Sequence, residues 1–305
     1  MFIRSLRGAL LMGLLLCAAS GVLAEEKLKP FVLAFKTSGD VAAVVSDVKS
    51  KLTSAGFDLA GEYSPYDNAT ILIVTSDALK AAAAESDFGG YAAGQRVSVT
   101  KVGDEIQVAY TNPVYMSNAY RMKASLQSTA DQLKTALGAM QEYGPAEGLE
   151  PEKIRKYHYM FGMEYFDEPS LLTRYKTYDE AVSMVEQSLA AKKGGVSKVY
   201  RIDVPGKKES VFGVHLTDGC SGDKFIMDKI DFKPLRSTAH LPYEMLVSGG
   251  KVYALYARFR IAINFPDLKM VGDNSFFKIM CAPDAIETAL TKAAGYVKKG
   301  GEDDF

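Results

Sequence analysis

Val97-Ser98-Val99-Thr100-Lys101-Val102-Gly103-Asp104-Glu105-Ile106-Gln107-Val108-Ala109-Tyr110-Thr111-Asn112-Pro113 decides the fold. It is two short runs rich in β-branched and aromatic residues, folded over Val102-Gly103-Asp104 and closed by Asn112-Pro113, which together read as a β-hairpin. A second copy lies downstream, in Met245-Leu246-Val247-Ser248-Gly249-Gly250-Lys251-Val252-Tyr253-Ala254-Leu255-Tyr256. Gly103 and Gly249 mark the turns, and Tyr110 and Tyr256 follow seven residues later in each, so both pairs stand 146 positions apart (249 − 103 and 256 − 110).

Working outward, the first half reads as strand, helix, strand, strand, helix, hairpin, helix. Phe31–Phe35 is an apolar strand after Pro30; Val41, Val44, Val45, Val48 and Leu52 recur at helical spacing, and Gly56 ends that helix. Phe57–Tyr63 and Ile71–Val74 are strands, and Ser76 or Asp77 caps a helix over Ala78–Glu85. A long helix is expected over Lys123–Met140. The second half repeats this order. Tyr157–Phe161 reads as a strand, and Tyr178, Ala181, Val182, Val185 and Leu189 repeat the first helix 137 positions on. Strands over Val199–Val204 and Val211–Leu216 and a short helix near Asp223–Lys229 lead into the second hairpin. Asp284, Thr288, Ala289 and Leu290 then mirror Asp131, Thr135, Ala136 and Leu137 at an offset of 153. A competing register sets Phe277–Ile286 against the strand-to-helix step Ile71–Leu79.

The fold class is therefore α+β: two similar small antiparallel-sheet-plus-helix units in tandem, an internal duplication. Residues 25–141 form the first unit, 142–155 a linker, 156–298 the second unit and 299–305 an acidic tail. The linker reading rests on two prolines and two glycines in Glu142–Pro151 with no apolar period.

The first 24 residues read as a secretory signal peptide. Arg4 and Arg7 give a basic start, Ala9–Ala19 an apolar run, and Val22-Leu23-Ala24 a cleavage site after Ala24. Leu16 before Cys17 argues against a lipoprotein. The expected location is the periplasm, with no membrane span after cleavage. Without Arg4 and Arg7 the chain holds 34 basic against 37 acidic side chains, a balance that excludes nucleic acid as a partner. The partner expected is an unknown small molecule or an envelope protein.

Cys220 and Cys281 remain after cleavage, a candidate disulfide in an oxidising compartment or else two buried thiols. His215, Cys220, Cys281 and His240 are the candidate metal ligands, because thiolate and imidazole together suit a transition metal. Their spacing matches no standard zinc pattern, and no cofactor is predicted. Tyr157–Met163 is a histidine and methionine stripe better read as sheet core than as a copper or haem patch. Read as one strand, Val252–Ile263 places Tyr256, Arg258 and Arg260 on one face, where two guanidiniums grip an anion or simply meet water. Together with Tyr110 these are the candidate ligand-binding residues. No nucleophile elbow, phosphate-binding loop or His-Glu-x-x-His occurs.

The order of elements resembles the bacterial family called domain of unknown function 302. The resemblance is carried by Gly56-Phe57, by Ile71–Val74 running into Ser76-Asp77-Ala78-Leu79, and by the hairpin ending at Asn112-Pro113. It covers roughly Phe31–Pro113. The second half is looser, with Phe265-Pro266 in place of Asn112-Pro113 and with Cys281-Ala282-Pro283. The resemblance implies a small α+β fold and no catalytic residues. The resulting expectation is a non-enzymatic binding module. The alternatives are a metal-linked redox or metal-handling protein, and a hydrolase or isomerase with a dispersed site.

Overall fold

A computed structural model describes residues 27–296. The signal segment and the acidic tail lie outside the described residues.

The first unit runs β1 (Phe31–Thr37), α1 (Val41–Ser54), β2 (Asp58–Tyr63), β3 (Ala69–Thr75), α2 (Asp77–Ala84), β4 (Gln95–Val102), β5 (Glu105–Thr111), α3 (Pro113–Ala119), α4 (Gln127–Leu137) and β6 (Gln141–Tyr143). After α5 (Pro151–Arg155), the second unit runs β7 (Ser170–Arg174), α6 (Tyr178–Ala190), β8 (Val196–Asp203), β9 (Glu209–Leu216), α7 (Asp223–Ile230), β10 (Tyr243–Ser248), β11 (Lys251–Ala254), α8 (Ala257–Ala262) and α9 (Ala282–Ala293).

One sheet is ordered β2-β3-β4-β5-β1-β6 and the other β7-β11-β10-β9-β8. Reading the second from β8 and leaving out β6, the two orders are the same, strand for strand. Both hairpins keep one register: Val99 pairs with Val108, and Met245 with Ala254, each 146 positions on. The caps repeat as well. Asp40 accepts from the Ala43 amide at 2.8 Å, and Thr177 accepts from the Glu180 amide at 3.2 Å, both 137 positions on. An α+β duplication is thus written in topology, register and capping alike.

Two units in tandem are expected each to carry an apolar interior of its own, and here they do not. A single cluster of buried side chains runs from Val45, Leu52 and Val97 to Val185, Leu189 and Met245. α1 packs on one outer face with Val45, Val48 and Leu52, and α6 on the other with Val182, Val185 and Leu189. The opposite faces of the sheets turn toward each other. A Cβ on Gly94 would meet Ile73 of β3 and Ile202 of β8, and one on Gly61 of β2 would lie 2.6 Å from the Val199 carbonyl oxygen. The layers are helix, sheet, sheet, helix.

The units also exchange segments. The 3-10 turn after α2 (Gly89–Ala92) lies on the second sheet, where the Gly90 amide donates to Glu209 Oε1 at 2.9 Å. The matching turn after α7 (Thr238–His240) lies on the first sheet, where Thr100 Oγ1 donates to Thr238 Oγ1 at 2.9 Å. This reciprocity is the geometry of a two-fold dimer interface built within one chain.

Several expectations need correction. The long helix Lys123–Met140 is α4 alone, entered through a left-handed Leu126 (φ 56). The 142–155 linker is not free chain. β6, which ends at Tyr143, pairs with β1, Leu28 bridges to Leu149, and α5 packs on α3. Tyr157–Phe161 is a turn, with Phe161 99% exposed, and the first strand of the second unit is β7 instead. Phe276–Ile279 is a 3-10 turn, which removes the competing register.

Candidate functional site

The chemistry between the sheets begins with Arg96 on β4. Its side chain points at the other unit, where Nη1 donates to Glu244 Oε1 of β10 at 3.0 Å. Arg260 of α8 reaches the same carboxylate from the other side, Nε to Oε2 at 3.1 Å, and also donates to the carbonyl oxygens of His240 and Pro242. Relative exposures of 4%, 5% and 1% for Arg96, Glu244 and Arg260 put all three out of water. His240 Nδ1 lies 2.9 Å from Asn264 Oδ1 and 3.0 Å from Arg260 Nη1, and its Nε2 lies 3.4 Å from the Tyr243 hydroxyl. Burial, then the Arg260 charge, holds His240 well below the ordinary imidazole range, so it is neutral. Two guanidiniums against one carboxylate, with neutral acceptors filling the remaining donors, make a sealed lock between the units.

The expected anion grip is therefore absent. The chain leaves β11 at Ala254 and enters α8 at Ala257, so Tyr256, Arg258 and Arg260 do not alternate along a strand. Arg260 is in the lock. Arg258 is ion-paired to Glu164 and lies over the Tyr256 ring, 5.8 Å from its centroid. Tyr110 is buried, donates to the Gly138 carbonyl oxygen at 3.1 Å and lines a different cavity from Tyr256.

The candidate metal set also separates. Cys220 and Cys281 form a disulfide, joining the turn after β9 to the start of α9. His240 is enclosed in the lock. His215, near the end of β9, lies 4.0 Å from Asp223 Oδ2 and packs at a tilt against Tyr63. Among the described residues no three His, Cys, Asp or Glu side chains are placed to hold a metal ion. His158 hydrogen-bonds the Met160 carbonyl oxygen in a loop, not in sheet core.

Two open clefts lie at the junction of the units. The first, of about 510 Å³, is walled by the β2–β3 turn (Tyr66, Asn68), by β4 and its hairpin turn (Thr100, Lys101) and by the end of α7 (Asp228, Asp231), with Arg236 beyond. Asp231 is fixed there as the C-cap of α7. Its Oδ1 accepts from the Ser237 amide at 2.8 Å, and Arg236 Nη1 donates to its carbonyl oxygen. Burial pushes the Asp231 carboxyl up to about 7, against the smaller opposing pull of the Ser237 amide and of Arg236. Tyr66 donates to Thr238 Oγ1 at 3.4 Å, and burial followed by the Asp231 charge raises its phenol. A carboxyl that titrates near neutrality beside a tyrosine and an arginine is suited to reading the charge of a small polar molecule.

The duplication predicts a twin, and it is present. The second cleft, of about 480 Å³, lies between the other pair of turns (Lys207, Lys208 and Ser248, Gly249) and the chain after α2 (Asp87, Phe88). Two like units packed as an internal pseudo-dimer are expected to leave a cleft between the sheets or at their junction, but none of the residues lining these two is among the sequence candidates. Pro65-Tyr66-Asp67-Asn68 reads as a turn, and Asp231 and Arg236 flank Pro234 in what reads as loop. The available signal was the duplication itself, because two copies facing each other make paired clefts at their turns.

A scan of family models finds no match to this chain, nor does a comparison with curated proteins or with solved structures.

Proposed function

We propose that this protein is an exported, non-enzymatic binding protein whose first junction cleft takes a small polar ligand. The observation that carries this reading is Asp231, a carboxyl pushed up to about 7 in a cleft whose walls come from both units. Arg236 and Lys101 offer donors to an anionic or carbonyl group, and Tyr66 and Asp231 accept from a hydroxyl or amine. Export rests on the basic-then-apolar opening of the chain, and the Cys220–Cys281 disulfide suits an oxidising compartment such as the periplasm. On this reading the first unit is a diverged relative of domain of unknown function 302, a proposal resting on the motifs quoted above. With both thiols paired, the metal-linked alternative requires reduction first.

Native mass spectrometry of protein taken from its own periplasm, followed by a broad thermal-shift screen, tests the proposal. The expected result is a stabilising ligand whose affinity falls about tenfold or more in Arg236→Ala, as losing one charge-assisted hydrogen bond would cause. A clean ligand-free mass with no stabilising compound overturns it.

Asp231 also gives a pH dependence. Its folded value lies above the unfolded one near 3.8, so the folded state binds the extra proton. That contribution to stability is complete below about pH 4 and is lost as pH rises through about 7. Urea midpoints for Asp231→Asn should therefore gain on those of the parent between pH 5 and pH 8. A constant difference across that range would show that Asp231 does not titrate there.

A further inference from the structure

The two junction clefts are related by the duplication, so what they share belongs to the scaffold and what differs belongs to use. The first mixes Asp67, Asp228 and Asp231 with Lys101 and Arg236. The second sets Lys207 and Lys208 beside Asp87 and Glu209, and outside its lining Lys251, just past the Gly249-Gly250 turn, pairs in register with Arg174 on β7. None of these four cations makes an ion pair among the described residues. Lys207 donates to the Ser86 carbonyl oxygen at 2.6 Å, while the Lys208 side chain makes no hydrogen bond or ion pair among the described residues. Of the carboxylates near them, Glu209 is turned inward onto the Gly90 amide, and burial raises its carboxyl. Asp87 is exposed.

The cleft also has an aromatic wall under backbone strain. Phe88 has φ +52, a left-handed conformation that is unfavourable for a bulky side chain. Its ring packs edge-on against Tyr253 at 5.3 Å and Phe166 at 6.4 Å, while part of it remains open to the cleft. Un-ion-paired ammonium groups next to a held aromatic ring are the two halves of a site for an organic anion, one gripping the charge and the other the ring.

We infer that the second cleft binds a small aromatic anion, its phosphate or carboxylate head on Lys207 and Lys208 and its ring against Phe88. This site is independent of the first cleft. The two copies took on different ligand chemistry while keeping one backbone.

Isothermal titration of the full mature protein with phenyl phosphate and with inorganic phosphate, at matched ionic strength, is the test. Phenyl phosphate should bind at least about tenfold more tightly than phosphate, the stacking contribution being on the order of one aromatic contact. Lys208→Glu, which disturbs no contact of the fold, should weaken both about tenfold or more. Phe88→Leu should erase the preference for the phenyl compound. Lys101→Glu in the first cleft should leave both affinities unchanged. The assignment is overturned if phenyl phosphate does not bind, if it binds no better than phosphate, if Lys208→Glu leaves it unaffected, or if Lys101→Glu weakens it equally. Failure of the first-cleft proposal appears separately, in the Arg236→Ala comparison.

Discussion

Glu244→Gln should lower the free energy of unfolding by about 3–5 kcal/mol, measured as a shift in the urea midpoint at constant m-value. The substitution keeps the side chain's size and removes only its charge. Arg96 and Arg260 both bond this carboxylate, and both are buried, so the variant strands two guanidiniums without an anion. The desolvation cost of those cations is then unopposed, and this exceeds any hydrogen bond the amide regains. A control separates this from ordinary ion-pair loss. Lys36→Ala breaks a half-exposed pair with Glu105 at 3.0 Å and should change stability by no more than about 1 kcal/mol. Removing all three partners at once, as Arg96→Met, Glu244→Leu and Arg260→Met, should be far milder than Glu244→Gln alone, because no charge is left unpaired. If Glu244→Gln costs no more than Lys36→Ala, the lock does not join the units.

The second large effect is at Cys220–Cys281. The cysteines are 61 residues apart in sequence, and a closed loop of that size reduces unfolded-state entropy by about 4 kcal/mol in stability at 25 °C. The bridge ties the turn after β9 to the first turn of α9, and α9 covers β7 and β8 from outside. Urea unfolding with and without a phosphine reductant, repeated on Cys220→Ser/Cys281→Ser, should give a low midpoint for the reduced parent and for the variant alike. Coincident midpoints for oxidised and reduced parent would show that the native thiols are unpaired.

Much of the fold was legible because local chemistry and tertiary packing agree there. Asp40 and Thr177 cap their helices, Gly56 (φ +87) ends α1, and Gly103 and Gly249 turn the hairpins at φ +61 and +57, a region that glycine reaches without a Cβ clash. Legibility failed where an apolar run was short. Leu255–Ile263 alternates plausibly as a strand, yet Ala257, Phe259, Ile261 and Ala262 are all buried. Its alternation with Tyr256, Arg258 and Arg260 has the period of a strand, but Arg260 is buried against Glu244, so the charged positions do not mark a wet face. Tyr157–Phe161 failed for the opposite reason: its aromatic residues suggest a core strand, but no neighbouring strand pairs with it.

The candidate site was hidden for a related cause. Val97-Ser98-Val99-Thr100 has the pattern of a strand with one dry face and one wet face. In the folded protein Ser98, Thr100 and Gln107 are buried, because the other unit lies over them.

The chain alone therefore determined the hairpins, the caps, the repeated order of elements and the presence of two pairable cysteines, all of which depend on residues close in sequence. Only the tertiary structure decided which polar faces leave water, that Arg96 and Arg260 share Glu244, and that matching turns from opposite units enclose two clefts. Those outcomes come from docking one sheet on the other, which brings together side chains such as Arg96 and Glu244, 148 residues apart in sequence.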